Sequence, residues 1–589
     1  MMKTVLPIVM WTLILTAIAG ITGSAQVRVR TSLLTGTQDK ETVIQDLARL
    51  SDTVRVRVDA DSPAGVVRVT FEIDDQFRAE VKQPPYIYEW DTLNESDGEH
   101  TIAVTAYNAN GQTGVQRIKV KVHNELERGI AYYADAALLA FRRGDAIALH
   151  RAARKAMRIN PGDPQAIRAM ALSAGAQGDV ERGFQMLDNR ENNIPAEDPV
   201  TLEVRGFLHL VRGLKASNIE QMLPDIQIGL ATARRSATAR LRETLAALPE
   251  SRQDCEAHLV RGDAYFIAGQ SETAIPCYEK AVQAATSTTD RRRARHRLAM
   301  ALLKRGRDRE AETLLTDMLK GPEGNATSAA VLGALLYRQR KYEQAREMVR
   351  AGVARGNIAA LIVATLADLA QGAKSTAYKQ ARQLVGFSEM PEICYVAQAT
   401  LADTGDMAAS LRYFQMALVR APLFTPVLVS RAFEIMAYEK AEERFVHALQ
   451  LFDLVLRHEP DNAAAIAGKL VACLHLKRYR TAQTLFPKLS ALEPTAPDLF
   501  LMMAINLERN DGQHLAALGA LERARKLDPV NCKDTHIPEA IDLIPRITRL
   551  RRVVPLTPAL LDLTEKTSTT TAGQMPADAL RQEAKSAGR

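Results

Sequence analysis

A signature that recurs at a fixed spacing constrains the fold of this chain more than any other feature. A small residue is followed by a large apolar residue four positions later and by a proline twelve positions later. Four copies follow one another: Ser410, Phe414 and Pro422; Ala448, Phe452 and Pro460; Ala482, Phe486 and Pro494; Ala517, Leu521 and Pro529. Pro460, Pro494 and Pro529 are 34 and 35 residues apart, and Pro161 and Pro195 are also 34 apart. A period of this length is typical of a helical solenoid, in which each repeat is one structural unit that packs on its neighbours.

The pattern has a physical reason in the packing of two antiparallel helices. A small residue is needed where the helices cross closely, and the bulky residue fills the space beside it. The proline ends the second helix because it lacks an N–H and clashes with the preceding turn. In the middle of the chain the prolines are missing, but crossing alanines remain at Ala274, Ala311 and Ala345. A glycine five residues earlier, as at Gly269 and Gly306, predicts the turn between the two helices.

Tyrosine opens two of the predicted second helices, since Tyr342 and Tyr479 each stand three residues before a crossing alanine. Together with the small residues, glycines and prolines, this pattern resembles the tetratricopeptide repeat (TPR) family over roughly residues 128–535. The resemblance implies an all-α superhelical solenoid of nine or ten helix pairs that binds protein partners. Residues 214–250 carry no clear repeat register.

Residues 51–123 have a different period, in which apolar and polar residues alternate. Val54, Val56 and Val58 alternate with charged residues, and three further stretches of this kind follow before residue 123. Alternation over short stretches is typical of half-buried strands, and clusters of Asp, Asn and Gly between them predict turns. Short strands at regular spacing predict a β-sandwich.

Two stretches of this region resemble bacterial immunoglobulin-like (Ig-like) domains. They are the aromatic sequence at residues 85–92 and the Asp-Gly-Glu-His-Thr sequence at residues 97–101. The resemblance implies a spacer or adhesive module, and the domain must be held by core packing because residues 51–123 contain no cysteine. The expected fold class is therefore multi-domain, an Ig-like β-sandwich followed by an all-α TPR superhelical solenoid.

The beginning of the chain predicts export. Residues 1–25 combine an early lysine, an apolar run and small residues before Ala25, as in a secretory signal peptide that is cleaved after Ala25. The alternative is an uncleaved membrane anchor, because the apolar run approaches the length that spans a bilayer. Residues 26–50 are expected to form a lead-in segment with one amphipathic stretch.

The end of the chain is expected to be an accessory to the solenoid. Residues 536–564 are interpreted as a capping helix and loop, in which Arg549, Arg551 and Arg552 precede an apolar stretch. Residues 565–589 are rich in Thr, Ala, Gly and Ser and are expected to be a disordered tail.

Composition and motifs argue against several classes of function. A formal net charge of +7 over 589 residues does not indicate nucleic-acid binding, and the basic run at residues 291–297 is expected to be a solvated helix face. The sequence contains no known catalytic, phosphate-binding or dinucleotide-binding motif. The five cysteines lack metal-ligand spacing, so we expect no enzyme activity, no metal and no cofactor. A Cys255–Cys277 disulfide is not expected, because antiparallel helices would hold the two residues too far apart.

A candidate protein-binding groove follows from the solenoid register, because the first helix of each pair lines the inner face of such an array. The predicted groove residues are Phe266, His296, Met300, Tyr337, Arg338, Tyr395, Asn506 and Arg509. Their mixture of aromatic, methionine and polar side chains suits an extended peptide or a partner helix. The alternative is that several of them are core residues between neighbouring helix pairs.

These observations predict an exported, non-enzymatic scaffold in the periplasm, cell envelope or extracellular space. Its TPR groove would bind a protein or peptide partner, with no nucleic acid, and would contact a membrane only if the N-terminal segment stays uncleaved. One alternative is a structural component of an envelope polysaccharide-export or secretion assembly. Another is an enzyme whose site has no recognisable motif.

Overall fold

The computed structural model describes seven stretches of the chain. They are residues 27–35, 40–44, 47–216, 218–387, 389–529, 532–533 and 536–569. The predicted signal segment and residues 570–589 of the predicted tail lie outside these stretches. The chain divides into two compact units, one formed by Met1–Tyr133 with Arg154–Pro161, the other by Ala134–Ala153 with Gly162–Arg589. None of the helices described is both long and apolar enough to cross a bilayer.

The first unit contains two β-sheets. Its strands are β1 (Arg28–Thr35), β2 (Lys40–Val43), β3 (Ala48–Leu50), β4 (Thr53–Asp61), β5 (Val66–Ile73), β6 (Gln76–Val81), β7 (Tyr86–Asp91), β8 (Gly98–Asn108) and β9 (Thr113–Val122). One sheet has the order β2-β1-β4-β7 and the other β3-β9-β8-β5-β6. All pairs are antiparallel except β3 with β9. Phe71 and Trp90 are buried in the apolar core of this unit, as expected for the β-sandwich.

The β-structure begins earlier than the sequence analysis expected. Strands β1 to β3 lie within the predicted lead-in segment, and β1 pairs with β4 in a register that sets Ser32 opposite Arg57. Val27 and Leu33 are buried in the same core as Trp90. An alternation runs from Val27 to Leu33, but strand β3 has three residues, too few for a period to be recognised.

The second unit is built from paired helices. Its pairs are α3 (Pro164–Ala176) and α4 (Val180–Asp188), α5 (Pro199–Lys215) and α6 (Ile219–Ala247), α7 (Cys255–Ile267) and α8 (Ser271–Ala284), α9 (Thr288–Lys304) and α10 (Asp308–Lys320), α11 (Ala326–Arg338) and α12 (Tyr342–Ala354), α13 (Ile358–Ala370) and α14 (Lys374–Leu384), α15 (Pro391–Thr404) and α16 (Met407–Arg420), α17 (Pro426–Tyr438) and α18 (Arg444–His458), α19 (Ala463–His475) and α20 (Tyr479–Leu492), and α21 (Pro497–Asp511) and α22 (His514–Leu527). Helices α1 (Gly129–Arg143) and α2 (Ala146–Ile159) precede them, and each contributes residues to both units.

The residues of the repeat signature lie at helix crossings, after helix ends and in the turns between helices, as their packing roles predict. The crossing residues Ala274, Ala448 and Ala482 have no exposed surface, because each lies where two helices approach most closely. Helices α16, α18, α20 and α22 each end two residues before the signature proline. The turn glycines Gly269 and Gly306 have φ of +82° and +75°, a left-handed conformation that favours glycine over other residues.

The pairs stack so that the first helix of one contacts the first helix of the next, from α7 to α21. A continuous apolar core connects the pairs from α9 to α22, and α7 and α8 share a separate apolar cluster with α9 and α10. Helices α5 and α6 also contact α16 and α18, where Arg234 donates to the backbone carbonyl of His458 at 3.0 Å. Helix α6 has 29 residues, which explains why residues 214–250 show no register: a helix this long does not fit the 34-residue period.

Candidate functional site

Residues 536–569, which we call the return segment, do not cap the end of the solenoid. A 3₁₀ turn at Ala540–Leu543 lies against α19, helix α23 (Ile544–Leu550) against α17 and α19, and helix α24 (Pro558–Thr569) against α13 and α11. The segment therefore runs back along the array in reverse order. It covers the surface formed by the first helices α9 to α21, which we call the first-helix face.

Apolar side chains hold the two ends of the return segment. Leu543, Ile547 and Leu560 have no exposed surface, and they belong to the continuous core of the helical array. Fully burying one such side chain contributes about 1.5–3 kcal/mol. Between the two helices, residues 552–557 form neither helix nor strand. This central stretch is attached by polar contacts and by Val554 and Leu556, which pack against the apolar core.

The first polar anchor is an ion pair between Arg551 and Asp498 at the start of α21. The Nε atom of Arg551 lies 2.7 Å from Oδ2 of Asp498, and the carboxylate's other oxygen accepts from Arg340 at 2.6 Å. Arg551 also pairs with Glu493. Burial alone would raise the pKa of Asp498, but the two arginines outweigh it and hold this pKa at about 2. The carboxylate is therefore ionised and has no exposed surface.

The second anchor is a bidentate pair between Arg552 and Asp403 at the end of α15. The two guanidinium nitrogens donate to the two carboxylate oxygens at 2.8 and 2.7 Å, and both side chains are 4% exposed. Tyr438 donates to the same carboxylate at 3.2 Å. Burial would raise the pKa of Asp403, but the bonds from Arg552 lower it below its ordinary value. The planar fork of arginine matches a carboxylate in a way that lysine cannot.

Polar groups of α15 hold the backbone beside these anchors. The N–H of Val553 donates to the hydroxyl of Tyr395 at 3.2 Å, and Thr557 donates to Glu392. Burial raises the pKa of Glu392 above its ordinary range. Four buried oxygens of the first-helix face have no hydrogen-bond partner among the described residues. They are Oη of Tyr337, Oε2 of Glu392, Oε1 of Gln398 and Oδ1 of Asn506.

A third set of contacts seats helix α24 on α9. Arg297 donates to Asp263 at 3.0 Å and to Asp562 of the return segment at 2.7 Å. Arg297 and His296 are each 2% exposed, so the expectation that residues 291–297 form a solvated face is wrong for these two. Burial lowers the pKa of His296 to about 3, so its ring is neutral, and Nε2 lies 2.8 Å from the hydroxyl of Ser328.

The structure places all eight predicted groove residues on first helices. Five are buried: His296, Met300, Tyr337, Tyr395 and Asn506. Phe266 is half-buried beneath the ammonium group of Lys304, while Arg338 and Arg509 are exposed. Tyr395 contacts the return segment directly, and Arg509 pairs with Glu539 at its start. All eight residues therefore lie on first helices, and their role as a groove that binds a partner stays a prediction.

Sequence reasoning missed the acidic residues of the face. Glu392, Asp403 and Glu434 stand among alanines and large apolar residues on first helices, a pattern that can be read as core with an occasional charge. Glu434 accepts from Gln398, Ser410 and Ser430 at 3.0–3.2 Å, and burial raises its pKa to about 7. Charged residues are rarely buried unless they are paired. An acidic residue at an apolar position of a first helix was therefore the signal that could have predicted a buried partner.

The first unit offers weaker candidates. Among the described residues, the acceptor atoms of Asp97, His123 and Glu127 lie within 4.8 Å of one another. Asp97 already accepts from the backbone N–H of Asn124 at 3.0 Å, and all three side chains are at least partly exposed. These contacts join the residue before β8 to the residues after β9 at the end of the sheet. Cys255 and Cys277 are not bonded to each other, and no disulfide joins the cysteines that the structure describes.

Comparison with known families supports both parts of the fold. Residues 45–104 match the family model described as a bacterial Ig domain, and residues 256–380 match the model described as a tetratrico peptide repeat. The chain therefore carries an Ig-like domain followed by a TPR solenoid. Comparison with curated proteins finds no significant match.

Solved structures with similar folds are distant. The Cut9–Hcn1 complex of the APC/C is 13% identical over 71% of this chain and 96% of its own, with a TM-score of 0.40. A human IFIT1 dimer with m7Gppp-AAAA is 14% identical over 57% and 83%, with a TM-score of 0.36. Yeast Tom70 is 15% identical over 69% and 91%, with a TM-score of 0.27. Because all three TM-scores lie below 0.5, no conclusion is drawn from these similarities.

Proposed function

We propose that this protein is an exported, non-enzymatic scaffold that binds a segment of a partner protein on its first-helix face. One observation carries the proposal: the face already holds a peptide segment, which it grips through buried carboxylates and a tyrosine hydroxyl. TPR arrays generally bind peptides or helices along such a face. The return segment shows the kind of ligand for which this face has complementary groups.

The Ig-like domain supports a position outside the cytoplasm. Modules of this kind commonly serve as spacers or adhesive units, and residues 1–25 have the pattern of a secretory signal. A fold alone does not fix a function, so the proposed binding role rests on the face and not on the Ig-like domain.

Site-specific photocrosslinking tests the proposal. We would replace Phe266 on α7, the helix that packs beside α9 at the end of the first-helix face, by p-azidophenylalanine in the full chain. We would then irradiate cells that export it and identify the crosslinked proteins. The same replacement at Tyr378 on α14, a second helix, is the matched control because this side chain is 39% exposed.

The proposal expects one partner to be captured at Phe266 and not at Tyr378. Equal capture at both positions would show that binding does not depend on the first-helix face. Capture of no protein at Phe266 would contradict a scaffold role for this face.

A further inference from the structure

We propose that the first-helix face recognises a partner segment with two adjacent arginines, and that Arg551 and Arg552 hold this site in cis until such a segment replaces them. This inference rests on the proposed function and deepens it, because it names the chemistry of the partner. It concerns Arg551 and the central stretch of the return segment, residues 552–557, and leaves α23 and α24 in place.

The two carboxylates of the site define what an occupant must supply. The side chains of Asp498 and Asp403 are 0% and 4% exposed, and each is paired with one of two consecutive arginines. A buried carboxylate that loses its partner is strongly unfavourable, so an occupant without positive charge cannot replace the return segment. The bidentate geometry at Asp403 favours the fork of arginine over the single ammonium of lysine.

The spacing of the site matches consecutive residues of the occupant. Residues 552–557 form neither helix nor strand, and the Val553 N–H that follows the two arginines donates to Tyr395. An incoming segment with the same arginine pair would therefore present its next backbone N–H to the same hydroxyl. Each hydrogen bond that Arg551, Arg552 and the Val553 N–H lose would be replaced by an equivalent bond from the incoming segment.

The return segment leaves part of the site unsatisfied. Oη of Tyr337 and Oε2 of Glu392 are buried without a partner among the described residues, although both side chains belong to the face. Buried polar groups in proteins are nearly always hydrogen-bonded. An occupant that also supplies donors to these two oxygens would bind more favourably than Arg551 and Arg552 do.

The central stretch has fewer buried apolar side chains than either helix that flanks it. Val553 is 41% exposed, and Val554 and Leu556 are only partly buried against the core. The apolar anchors Ile547 and Leu560 lie outside the stretch, in α23 and α24. The tethered return segment competes for the site at an effective concentration in the millimolar range. A partner segment must therefore bind tightly enough to overcome this intramolecular competition.

Fluorescence anisotropy with a peptide of the sequence of residues 546–557 tests the inference. We would titrate it with the full chain and with the full-length double variant Arg551→Ala/Arg552→Ala. The peptide should bind the double variant at least tenfold more tightly than the unmodified chain, because the cis competitor is weakened. A peptide in which alanine replaces both arginines should lose at least tenfold in affinity, and one with two lysines should fall between them.

Several results would overturn the inference. Equal binding of the arginine and alanine peptides to the double variant would show that the carboxylates do not select the ligand, and equal binding of the lysine peptide would refute recognition of the arginine fork. If circular dichroism shows that the double variant is unfolded, displacement is measured in the unmodified chain instead. Millimolar arginine peptide should then increase hydrogen exchange in residues 551–557 of the chain at least threefold, and no increase would refute displacement.

Failure here is distinguishable from failure of the proposed function. If Phe266 captures a partner while the arginine peptide does not bind, only the assigned ligand chemistry is wrong. If both experiments fail, the first-helix face is not a binding surface.

Discussion

Replacing Asp498 by asparagine should loosen the return segment by an amount that can be worked from the structure. The pKa of this carboxyl lies at about 2, against an ordinary value of 3.8. Each pKa unit corresponds to about 1.4 kcal/mol, so its charge pairing contributes roughly 2.5 kcal/mol at neutral pH. Asp498→Asn removes the counter-charge of Arg340 and leaves Arg551 with Glu493 alone, and breaking a buried pair costs about 3–5 kcal/mol. The two estimates agree on an effect far larger than the 0–1 kcal/mol of an exposed pair.

Hydrogen exchange of residues 546–553 measures this effect, because these amides lie in and beside the anchored stretch. A loss of roughly 2.5 kcal/mol corresponds to exchange about 70-fold faster. Asp453→Asn is the matched control, since Asp453 pairs with Lys469 at 2.5 Å but the two side chains are 34% and 20% exposed. We expect the control to leave exchange in residues 546–553 unchanged.

The pH dependence of the same comparison gives a second check. A carboxyl whose folded pKa is lowered contributes stability above its unfolded pKa and loses it as the pH falls through the folded value. The difference between the unmodified chain and Asp498→Asn should therefore be constant from pH 5 to 8 and shrink only below about pH 4. If Asp498→Asn changes exchange less than threefold at pH 7, the claim that this pair anchors the return segment is refuted.

Two further predictions address the packing of the array and its buried carboxyl. Gly262→Ala should destabilise the chain by about 1–3 kcal/mol, because the new Cβ would lie 2.4 Å from the ring of Tyr278, whereas Gly519→Ala, with nothing within 4 Å, should be neutral or stabilise α22 by up to about 1 kcal/mol. Urea unfolding midpoints of the two variants compare these effects, and equal shifts would contradict the close helix crossing. Glu434 has a pKa raised by burial to about 7, so its unfolded form ionises first and the stability of α17 should fall by about 3 kcal/mol as the pH rises from 4.5 to 7, then level off. Hydrogen exchange of α17 across this range should show the fall in the unmodified chain and not in Glu434→Gln, and a parallel fall in both would show that another group is responsible.

The parts of the fold that were predicted correctly depend on local periods. The crossing residues Ala448 and Ala482 and the prolines that follow repeat at a fixed distance because each helix pair solves the same packing problem. The alternation of Val54, Val56 and Val58 likewise reports one buried strand face. Strand β3 was missed because three residues cannot show a period.

The return segment could not be predicted, because its position depends on contacts distant in sequence. Arg552 and Asp403 are 149 residues apart, and neither belongs to a sequence motif from which their pairing could be predicted. Nothing in the sequence distinguishes an arginine that caps the array from one that enters a buried carboxylate site. The predicted groove residues lie on first helices, but the contact of Tyr395 with Val553 depends on the return segment and not on the repeat.

Photocrosslinking from the first-helix face tests the central claim most directly. The hydroxyl of Tyr395 lies 3.2 Å from the backbone nitrogen of Val553, so p-azidophenylalanine at position 395 places its reactive group beside the return segment. In the purified full chain, mass spectrometry should find crosslinks from this position to residues 546–557, and added arginine peptide should reduce them and become crosslinked itself. Crosslinks that never reach residues 546–557, or that are unaffected by saturating peptide, would contradict the claim that Arg551 and Arg552 occupy the first-helix face and can be displaced from it.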